Sequence, residues 1–362
     1  MRKIIFGGAF DPIHLGHIKM ASAASEQLDA DVIFVPAVIS VWKDTSVSFN
    51  QKVEMINLLI KDYPRFSLSL YESTTNKEKN YSIDTVKHFK KEYPNDELYL
   101  LIGGDQVRDF HLWKNADEIA DLIQIVYYSR EDFDDNHENI TKYHMREIKG
   151  EDIYVSSSDF KSMKANDYLP YSLVEYITTN DLYMLEAIKG RLSKNRYEHS
   201  KQVALLAFRI ALSNNMEHPL KAFYAGLLHD IGKEVEKEKS KELMNTHFSE
   251  YADLPAFSYH QFIGSYIAKE EFGMGEDVVE AIKYHATGNY PMSRLAKIIY
   301  AADKIEPTRG FDSTDLINSC LQNDEEGFVI VLQANKEFLE GNRKDINNRL
   351  TKKCFDNYLS HK

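Results

Sequence analysis

The chain has 362 residues, a comfortable length for two domains, and its 43% hydrophobic and 12% aromatic residues allow each domain to bury a core. The formal net charge of −12 disfavours binding to long nucleic acid, and no run reaches the roughly 20 apolar residues of a membrane helix. Two cysteines, Cys320 and Cys354, do not indicate a disulfide scaffold, and no apolar run resembles a signal peptide. We therefore expect a cytoplasmic protein with neither a membrane nor a nucleic acid as partner.

The first half of the chain alternates between short β-rich runs and helical patterns. The strands are predicted at residues 3–8, 31–36, 66–70, 98–104 and 122–129, and the helices at 18–28, 50–61 and 83–92. A last short strand that turns into a helix is expected at 153–160. This alternation predicts a parallel sheet with helices on both faces and ligands at the carboxyl ends of the strands.

The second half carries helical periodicity with almost no strand pattern. Helices are predicted at residues 197–213, 219–229, 259–272, 276–284 and 293–304. The boundary is expected near 183–194, which divides the chain into domains 1–184 and 185–362. The charge run 234–242 is interpreted as an exposed helix or loop, and the sequence leaves open whether it covers a site as a lid.

The stretch GGAFDPIHLGH, residues 7–17, follows the first predicted strand. Gly7 and Gly8 allow the backbone to approach a ligand, and the next helix offers free N–H groups and a positive dipole end to a phosphate. His14 and His17 add donors at the same place, so we expect them to neutralise charge on a phosphoryl oxygen. A loop with two solvent-exposed histidines is the alternative.

This stretch resembles the motif of the HxGH nucleotidyltransferases, specifically of the bacterial nicotinate mononucleotide adenylyltransferases. The resemblance continues, in order, through VWKD, NQKVEMINLLI, NYSIDTV, LIGGDQVRDFHLW, VSSSDFK and YLPYSLVEYITTNDLY. It implies a Rossmann-like, doubly wound α/β domain that transfers AMP from ATP to nicotinate mononucleotide. Pyrophosphate then leaves, and magnesium bound with ATP bridges the phosphates.

The resemblance also implies roles for single residues. His14 and His17 hold the ATP phosphates and act with Lys43, which lies near the phosphate of the mononucleotide. Asp105 orients a ribose or the metal-bound phosphates, and Trp113 stacks on the pyridine ring. The other residues expected to bind nucleotide, the last four as a second phosphate cradle, are Gly7, Gly8, Phe10, Ser82, Gly103, Lys114, Ser156, Ser157, Ser158 and Lys161.

Other interpretations of these residues stay open, and three positions depart from the family pattern, among them Asn80, which precedes Tyr81 and Ser82 where the family has SYT. The alternatives are that Lys43 is a surface lysine, that Asp105 is a helix cap and that Trp113 is a core aromatic residue. Lys161 replaces the usual arginine, so a bidentate fork becomes a point charge. Lys114 stands where tyrosine is frequent. A lysine beside the pyridine favours a carboxylate, which is a hypothesis for nicotinate over nicotinamide.

The helical half places a histidine or an aspartate among apolar residues on five predicted helices. His199, for example, shares a face with Val203, Leu206 and Ile210. Alone, each such site is more typical of a satisfied core histidine, but burying all of them without a cation is costly. Mixed imidazole and carboxylate ligands suit zinc, iron or manganese, and an aspartate that bridges two ions suits hydrolysis of phosphate esters and anhydrides. The sites are His199, His229 with Asp230, His260, His285 and Asp303.

Four stretches of the second half resemble the HD phosphohydrolases, most closely the bacterial HD hydrolases that split diadenosine tetraphosphate into two ADP. These stretches are RYEHSKQVA, AGLLHDIGK, AIKYHATG and PMSRLAKIIYAADKIEPTRGF. The resemblance implies an all-α HD-type helical domain in which Asp230 is catalytic as well as a ligand. Three basic residues would neutralise the polyphosphate: Lys233, Lys304 and Arg309. The alternative is that Lys304 and Arg309 only form ion pairs with Glu306. The implied metal ligands, for one ion or two, are His199, His229, Asp230, His260, His285 and Asp303.

Taken together, the two resemblances imply a bifunctional enzyme whose small-molecule partners are ATP, nicotinate mononucleotide and diadenosine tetraphosphate. Three alternatives stay open: a preference for nicotinamide mononucleotide in the first half, another nucleotide substrate in the second, or a second half that senses nucleotide without turnover. The sequence leaves the oligomeric state open.

Overall fold

A computed structural model describes residues 1–38, 46–75, 79–129, 138–151, 156–165, 169–344 and 346–360. The chain divides into two compact units. The first unit comprises Met1–Asp159 and Tyr168–Tyr176, and the second comprises Phe160–Asp167 and Ile177–Lys362. The boundary predicted between residues 184 and 185 lies within the second unit, shortly after the division.

The first unit is built on a sheet whose described strands are all parallel and follow the order β3-β2-β1-β4-β5-β6. This confirms the predicted doubly wound α/β fold. The order reverses between β1 and β4, and ligands bind at such a switch point in open α/β sheets. The strands are β1 (Arg2–Gly8), β2 (Asp31–Pro36), β3 (Phe66–Leu68), β4 (Glu97–Gly103), β5 (Gln124–Tyr128) and β6 (Arg146–Ile148).

The strands are connected by helices whose starts follow from the sequence. Ser48 and Gln51 form a reciprocal capping box at the start of α2, as residues of these types favour. Of the segment predicted as strand then helix, residues 152–155 lie outside the described residues and the rest contributes α8. The helices are α1 (Leu15–Leu28), α2 (Phe49–Ile60), α3 (Tyr71–Thr74), α4 (Ser82–Glu92), α5 (Gly104–Asp109), α6 (Ala116–Leu122), α7 (Glu138–Lys142), α8 (Ser157–Lys161) and α9 (Tyr171–Thr179).

The second unit is all-helical throughout its described residues, as predicted. The predicted charge run begins before α13 and continues into it. The sequence did not predict the three helices that end the chain. The helices are α10 (Met184–Lys189), α11 (Lys194–Ser213), α12 (Leu220–Leu228), α13 (Lys237–His247), α14 (Tyr259–Glu270), α15 (Glu276–Tyr284), α16 (Arg294–Ile305), α17 (Thr314–Gln322), α18 (Asp324–Gly341) and α19 (Arg349–Tyr358).

Two glycines allow the helices of the second unit to approach closely. A Cβ on Gly226 of α12 would lie 2.7 Å from the Cα of Ala204 on α11. A Cβ on Gly232, just after α12, would lie 2.6 Å from the backbone nitrogen of Gly264 on α14. Both contacts are with backbone, so neither neighbour can move aside easily. The turn after α12 is thereby held against α14.

None of the described helices is both long enough and apolar enough to cross a bilayer.

Candidate active sites

A pocket of about 540 Å³ opens in the first unit at the carboxyl ends of β1 and β4. Gly7 and Gly8 end β1 and Gly103 ends β4, so the pocket lies at the switch point of the sheet. Most of the residues predicted to bind nucleotide line it. These are Gly7, Gly8, Phe10, His14, His17, Ser82, Gly103, Asp105, Trp113, Lys114, Ser156 and Ser157.

The two histidines lie at the start of α1, where the dipole of the helix favours a negative ligand. His14 is the N-cap, and its backbone N–H donates to Nδ1 of His17 over 3.2 Å. The centroids of the two imidazole rings are 3.8 Å apart, and the ring planes are tilted by 34°. His17 also packs edge-on against Phe10, with 5.1 Å between the ring centroids. The pair is thus fixed in one orientation toward the pocket.

Gly103 leaves room for the side chain that follows β4. A Cβ at position 103 would lie 2.6 Å from Oδ1 of Asp105. Asp105 is exposed and stands in the first turn of α5, and the side chain that bonds back to the Gly103 N–H is Gln106. Gly103 is the N-cap of α5 and Asp105 lies inside the helix, so Asp105 does not occupy the N-cap position.

Trp113 is partly buried against the hydrophobic core of the first unit and also lines the pocket. Lys114 Nζ lies 4.1 Å from the centroid of the Tyr81 ring, and both residues line the same pocket. An aromatic ring and a cation therefore stand side by side at this end of the pocket.

Two hydroxyls of the predicted second phosphate cradle donate hydrogen bonds to other groups of the protein. The hydroxyl of Ser156 donates to Asp159 Oδ2 over 2.8 Å, and the hydroxyl of Ser157 donates to the carbonyl of Pro12 over 2.8 Å. Ser158 is not among the residues that line the pocket. Lys161 belongs to the second unit, where its Nζ lies 5.8 Å from the Tyr183 ring centroid. Lys43 lies outside the described residues.

The pocket also contains an acidic residue that the sequence analysis missed. Burial raises the pKa of Glu72 to about 7, although the backbone of Val38 and the hydroxyl of Thr85 hydrogen-bond to it and Lys52 is nearby. Lys52 itself is fully buried and donates from Nζ to the carbonyl of Ala37 over 2.9 Å. Glu72 stands among polar residues after an edge strand, with no local motif to distinguish it. Only the fold shows that it reaches the pocket.

The second unit brings all six predicted metal ligands into one group, called here the histidine–aspartate cluster. His229 occupies its middle, with Nε2 3.6 Å from Oδ1 of Asp230 and 3.6 Å from Oδ1 of Asp303. The remaining ligands complete two sides of the cluster. His199 Nε2 lies 3.1 Å from Asp303, and His260 and His285 each place Nε2 3.5 Å from Asp230 Oδ1.

Hydrogen bonds fix the tautomer of three imidazoles in the cluster. Nδ1 of His229 is 2.6 Å from the carbonyl of Gly226, and the Nδ1 atoms of His260 and His285 are each 2.7 Å from the carbonyl three residues earlier. A carbonyl only accepts, so each Nδ1 carries the proton and each Nε2 keeps its lone pair. These lone pairs face the middle of the cluster, as in metal-ligating histidines.

Several atoms of the cluster lack the hydrogen bonds that buried polar atoms normally make. His229 Nε2 and Asp230 Oδ1 are buried with no hydrogen-bond partner among the described residues. Nε2 of His260 faces Nε2 of His285 at 3.1 Å, although both are acceptors. Imidazole nitrogens bind zinc at about 2.0–2.1 Å, so two nitrogens at this separation are spaced as neighbouring ligands of one ion. The donor set thus fits a divalent cation.

The protonation of the cluster agrees with this chemistry. Burial lowers the pKa of His229 to about 4 and that of His260 to about 3, so both are neutral ligands at neutral pH. Burial opposes ionisation of Asp230 and Asp303, yet the neighbouring histidines and lysines outweigh it and lower the pKa of both carboxyls. His199 behaves differently: burial disfavours its charge, but hydrogen bonds to Asp303 and Glu306 raise its pKa.

Glu306 is a second residue that sequence analysis did not assign to the cluster. It is buried and lies 2.9 Å from Nδ1 of His199, on the side of the ring away from Asp303. The N–H and the hydroxyl of Thr308 also donate to it. The alternative, in which Glu306 pairs with Lys304 or Arg309, finds no such ion pair among the described residues. Lys304 Nζ lies 2.7 Å from Asp303 Oδ2, and Arg309 contacts Asp303 Oδ1.

Comparison with known proteins divides the chain in the same way. Residues 5–163 match the cytidylyltransferase-like family, and residues 196–308 match the HD domain. A relative from Mycoplasma genitalium, named probable nicotinate-nucleotide adenylyltransferase/Ap4A hydrolase, is 29% identical over 91% of this chain and 96% of its own length. The nicotinate-nucleotide adenylyltransferase of Bacillus subtilis is 38% identical over 51% of this chain and 99% of its own length.

Among the solved structures that are similar to part of the chain is one described as a predicted HD superfamily hydrolase involved in NAD metabolism from Clostridium acetobutylicum. It is 30% identical over 49% of this chain and 95% of its own, with a TM-score of 0.43.

Proposed function

Since the chain belongs to the nicotinate-nucleotide adenylyltransferase family in its first half and carries an HD domain in its second, we propose that it is a bifunctional nucleotide enzyme. The first site transfers AMP from ATP to nicotinate mononucleotide. The second hydrolyses diadenosine tetraphosphate symmetrically to two ADP. The Mycoplasma relative, whose name joins these two activities, matches nearly the whole chain and supports assigning both to it.

The observation that supports the first activity is the pair of histidines at the start of α1, beside the glycines that end β1. In adenylyl transfer the mononucleotide phosphate attacks the α-phosphate of ATP in line, and no covalent bond to the protein is needed. Catalysis then consists of positioning and of stabilising charge on the phosphoryl oxygens. His14 and His17 donate to those oxygens, while Trp113 and Lys114 receive the pyridine and its carboxylate. Magnesium bound with ATP would supply positive charge to the leaving pyrophosphate.

The choice of pyridine nucleotide tests the role of Lys114. We expect the wild type to prefer nicotinate mononucleotide over nicotinamide mononucleotide, because Lys114 offers a positive charge to the carboxylate. The Lys114→Ala variant should lose most of that preference. The measurement is the ratio of kcat/KM for the two mononucleotides at fixed ATP. An unchanged ratio in the variant would remove Lys114 from the account.

The observation that supports the second activity is the pair of facing Nε2 acceptors, together with the unpartnered atoms of His229 and Asp230. The residues that would hold the ion or ions are the six of the histidine–aspartate cluster. When bound, iron, manganese or zinc supplies an activated water for attack on a phosphoric anhydride. Lys233, Lys304 and Arg309 lie at the carboxylates of the cluster and neutralise the polyphosphate. Asp230 presents one oxygen to the histidines and the other to Lys233.

The products of diadenosine tetraphosphate decide between hydrolysis and other outcomes. Protein loaded with manganese or iron is incubated with the dinucleotide, and the nucleotides are separated. Two ADP per substrate, lost in Asp230→Ala, are expected. ATP plus AMP would contradict symmetrical cleavage. Binding of the dinucleotide without turnover would make the second half a nucleotide sensor instead.

A further inference from the structure

The two carboxylates of the histidine–aspartate cluster each carry a pair of cationic side chains. Asp303 is contacted by Lys304 and Arg309. Asp230 is contacted through Oδ2 by Lys233 at 3.1 Å and by Arg196 Nη1 at 4.0 Å. Arg196 stands in the first turn of α11, three residues before His199. It begins the stretch RYEHSKQVA that resembles the HD hydrolases, but it is not among the predicted site residues.

The two cationic pairs lie beside different carboxylates of the cluster. Asp230 turns Oδ1 toward His260 and His285 and leaves Oδ2 for its two cations. His229 Nε2 stands between the carboxylates, 3.6 Å from each. A linear polyanion that crosses the cluster at His229 therefore meets Lys233 and Arg196 near one carboxylate and Lys304 and Arg309 near the other.

The two pairs have the same composition and the same gradation of exposure. Each consists of a lysine and a more exposed arginine: the side chain of Arg196 is 40% exposed and that of Arg309 is 37% exposed. The carboxylates beneath them are nearly inaccessible, at 3% and 8%. The arginines thus extend from buried acids toward solvent, where a ligand arrives. A guanidinium carries five N–H donors in a fork that matches phosphate oxygens.

We propose that Arg196 binds the polyphosphate of the dinucleotide, as the counterpart of Arg309 on the other carboxylate. The ligand class is a polyphosphate long enough to reach both arginines, as the bridge of a dinucleoside tetraphosphate is. This proposal rests on the proposed hydrolase function, which it deepens.

A second contact holds Arg196 ready for this role. Its Nε donates to Glu234 Oε1 over 3.0 Å, and the same glutamate accepts the backbone N–H of Ser193 at the start of α11. Glu234 is exposed, so solvent screens this ion pair and it adds little to stability. Its effect is to restrict the rotamers of a long side chain before the ligand binds. Replacing Arg196 should therefore affect ligand binding more than folding.

The test compares Arg196→Met with a matched control, Arg191→Met. Arg191 is similarly exposed and pairs with Glu271 at 2.6 Å, but it contacts no residue of the cluster among those described. Two measurements are made on manganese-loaded protein: calorimetric affinity for inorganic tripolyphosphate, and KM and kcat for diadenosine tetraphosphate. Any tripolyphosphate that binds in the first unit contributes equally to the affinities measured for the wild type, Arg196→Met and Arg191→Met. Metal content and the melting temperature verify that each variant is intact.

We expect Arg196→Met to weaken tripolyphosphate binding and raise KM by about 10-fold, the loss of one charge-assisted contact, with kcat within about threefold of wild type. Arg196→Lys should recover part of the affinity because it keeps the charge but not the fork. Tripolyphosphate affinity and KM equal to those of Arg191→Met would overturn the proposal. If the wild type binds tripolyphosphate through Arg196 but does not cleave the dinucleotide, the hydrolase function fails while the polyphosphate site stands.

Discussion

The two candidate sites of this chain differ in the groups that they offer to a phosphate ligand. The site of the first unit is a pocket of about 540 Å³ whose walls are glycine backbone, aromatic rings and two histidines at a helix start. The site of the second unit is a cluster of buried imidazoles and carboxylates, in which His229, Asp230 and His285 are almost wholly removed from solvent. The first is an open pocket, whereas the second contains buried acceptors that lack hydrogen-bond partners among the described residues.

The difference has a consequence for how each site depends on the rest of the chain. Backbone and dipole interactions in the first pocket persist without a ligand, so its form is set by the sheet. In the second unit, the cluster brings imidazole lone pairs and carboxylates close together in a buried place. Removing these groups from water costs free energy, which a bound ion would offset. We therefore expect loss of metal to disturb the second unit and to leave the first unit unchanged.

The largest expected effect comes from removing a carboxylate of the cluster. Asp230→Asn should lower metal content below that of the wild type and reduce hydrolysis of diadenosine tetraphosphate by about 10³-fold or more, because the activated water is lost with the ion. Metal content by elemental analysis and the hydrolysis rate are measured on the same preparation. Normal metal content with normal hydrolysis would show that Asp230 is not a ligand.

The corresponding change in the first unit removes a phosphate donor without touching a metal. His17→Ala should lower the rate of adenylyl transfer by about 10²-fold, the usual cost of losing one preorganised donor to a developing charge. Hydrolysis by the same protein should stay at the wild-type rate. A transfer rate within twofold of wild type would mean that His17 only packs against Phe10.

A smaller effect is expected from the carboxylate behind His199. Glu306→Gln removes the charge that orients this imidazole and should weaken metal binding by about 10-fold, at the low end for an outer partner of a ligand. The measurement is a competition titration of manganese against a chelator of known affinity. Glu280→Gln, on a residue outside the cluster, serves as the control. Equal affinity in the two variants would assign Glu306 a purely structural role.

Close packing behind the cluster predicts a stability effect. Gly232→Ala should destabilise the second unit by about 1–3 kcal/mol, since the added methyl meets the backbone of α14. Gly190→Ala is the matched control, because a Cβ there contacts nothing within 4 Å. Denaturant midpoints of both variants are compared at equal metal loading. A Gly232→Ala midpoint no lower than that of Gly190→Ala would show that the turn can relax.

The smallest expected effect concerns the buried carboxyl of the first pocket. Because burial raises the pKa of Glu72 to about 7, the folded protein keeps this proton between pH 4.5 and 7 while the unfolded chain releases it. Stability from this group is therefore present at acid pH and lost as the pH rises to 7, by at most about 3 kcal/mol. Glu72→Gln should thus gain melting temperature relative to wild type from pH 5 to pH 8. A constant difference across this range would contradict the shifted pKa.

The sequence anticipated the two sites to different degrees, for physical reasons. The apolar periodicity of α11 and α16 indicates which face of each helix is buried, so His199 and Asp303 could be expected to point inward. Whether those faces meet depends on how the helices cross. That depends on contacts such as Gly226 against Ala204, which periodicity does not reveal.

In the first unit, strand order decided what could be foreseen. Gly7 and Gly8 follow a strand and precede a helix, a local pattern that predicts a phosphate site. Glu72 and Trp113 come to the same pocket only because β4 pairs with β1, a pairing across some ninety-five residues of chain. The hydrogen bond of Ser157 to Pro12 is likewise a long-range contact, and it directs the predicted phosphate-binding hydroxyl to protein instead.

The central claim is that two separate active sites occupy one chain, and both reaction rates measured on an equimolar mixture of His17→Ala and Asp230→Asn test it most directly. Each variant alone should perform only one reaction, and the mixture should perform both at about half the rate of the same total amount of wild type. If either reaction is absent from both variants and from the mixture, the two activities share a site, and the account is wrong.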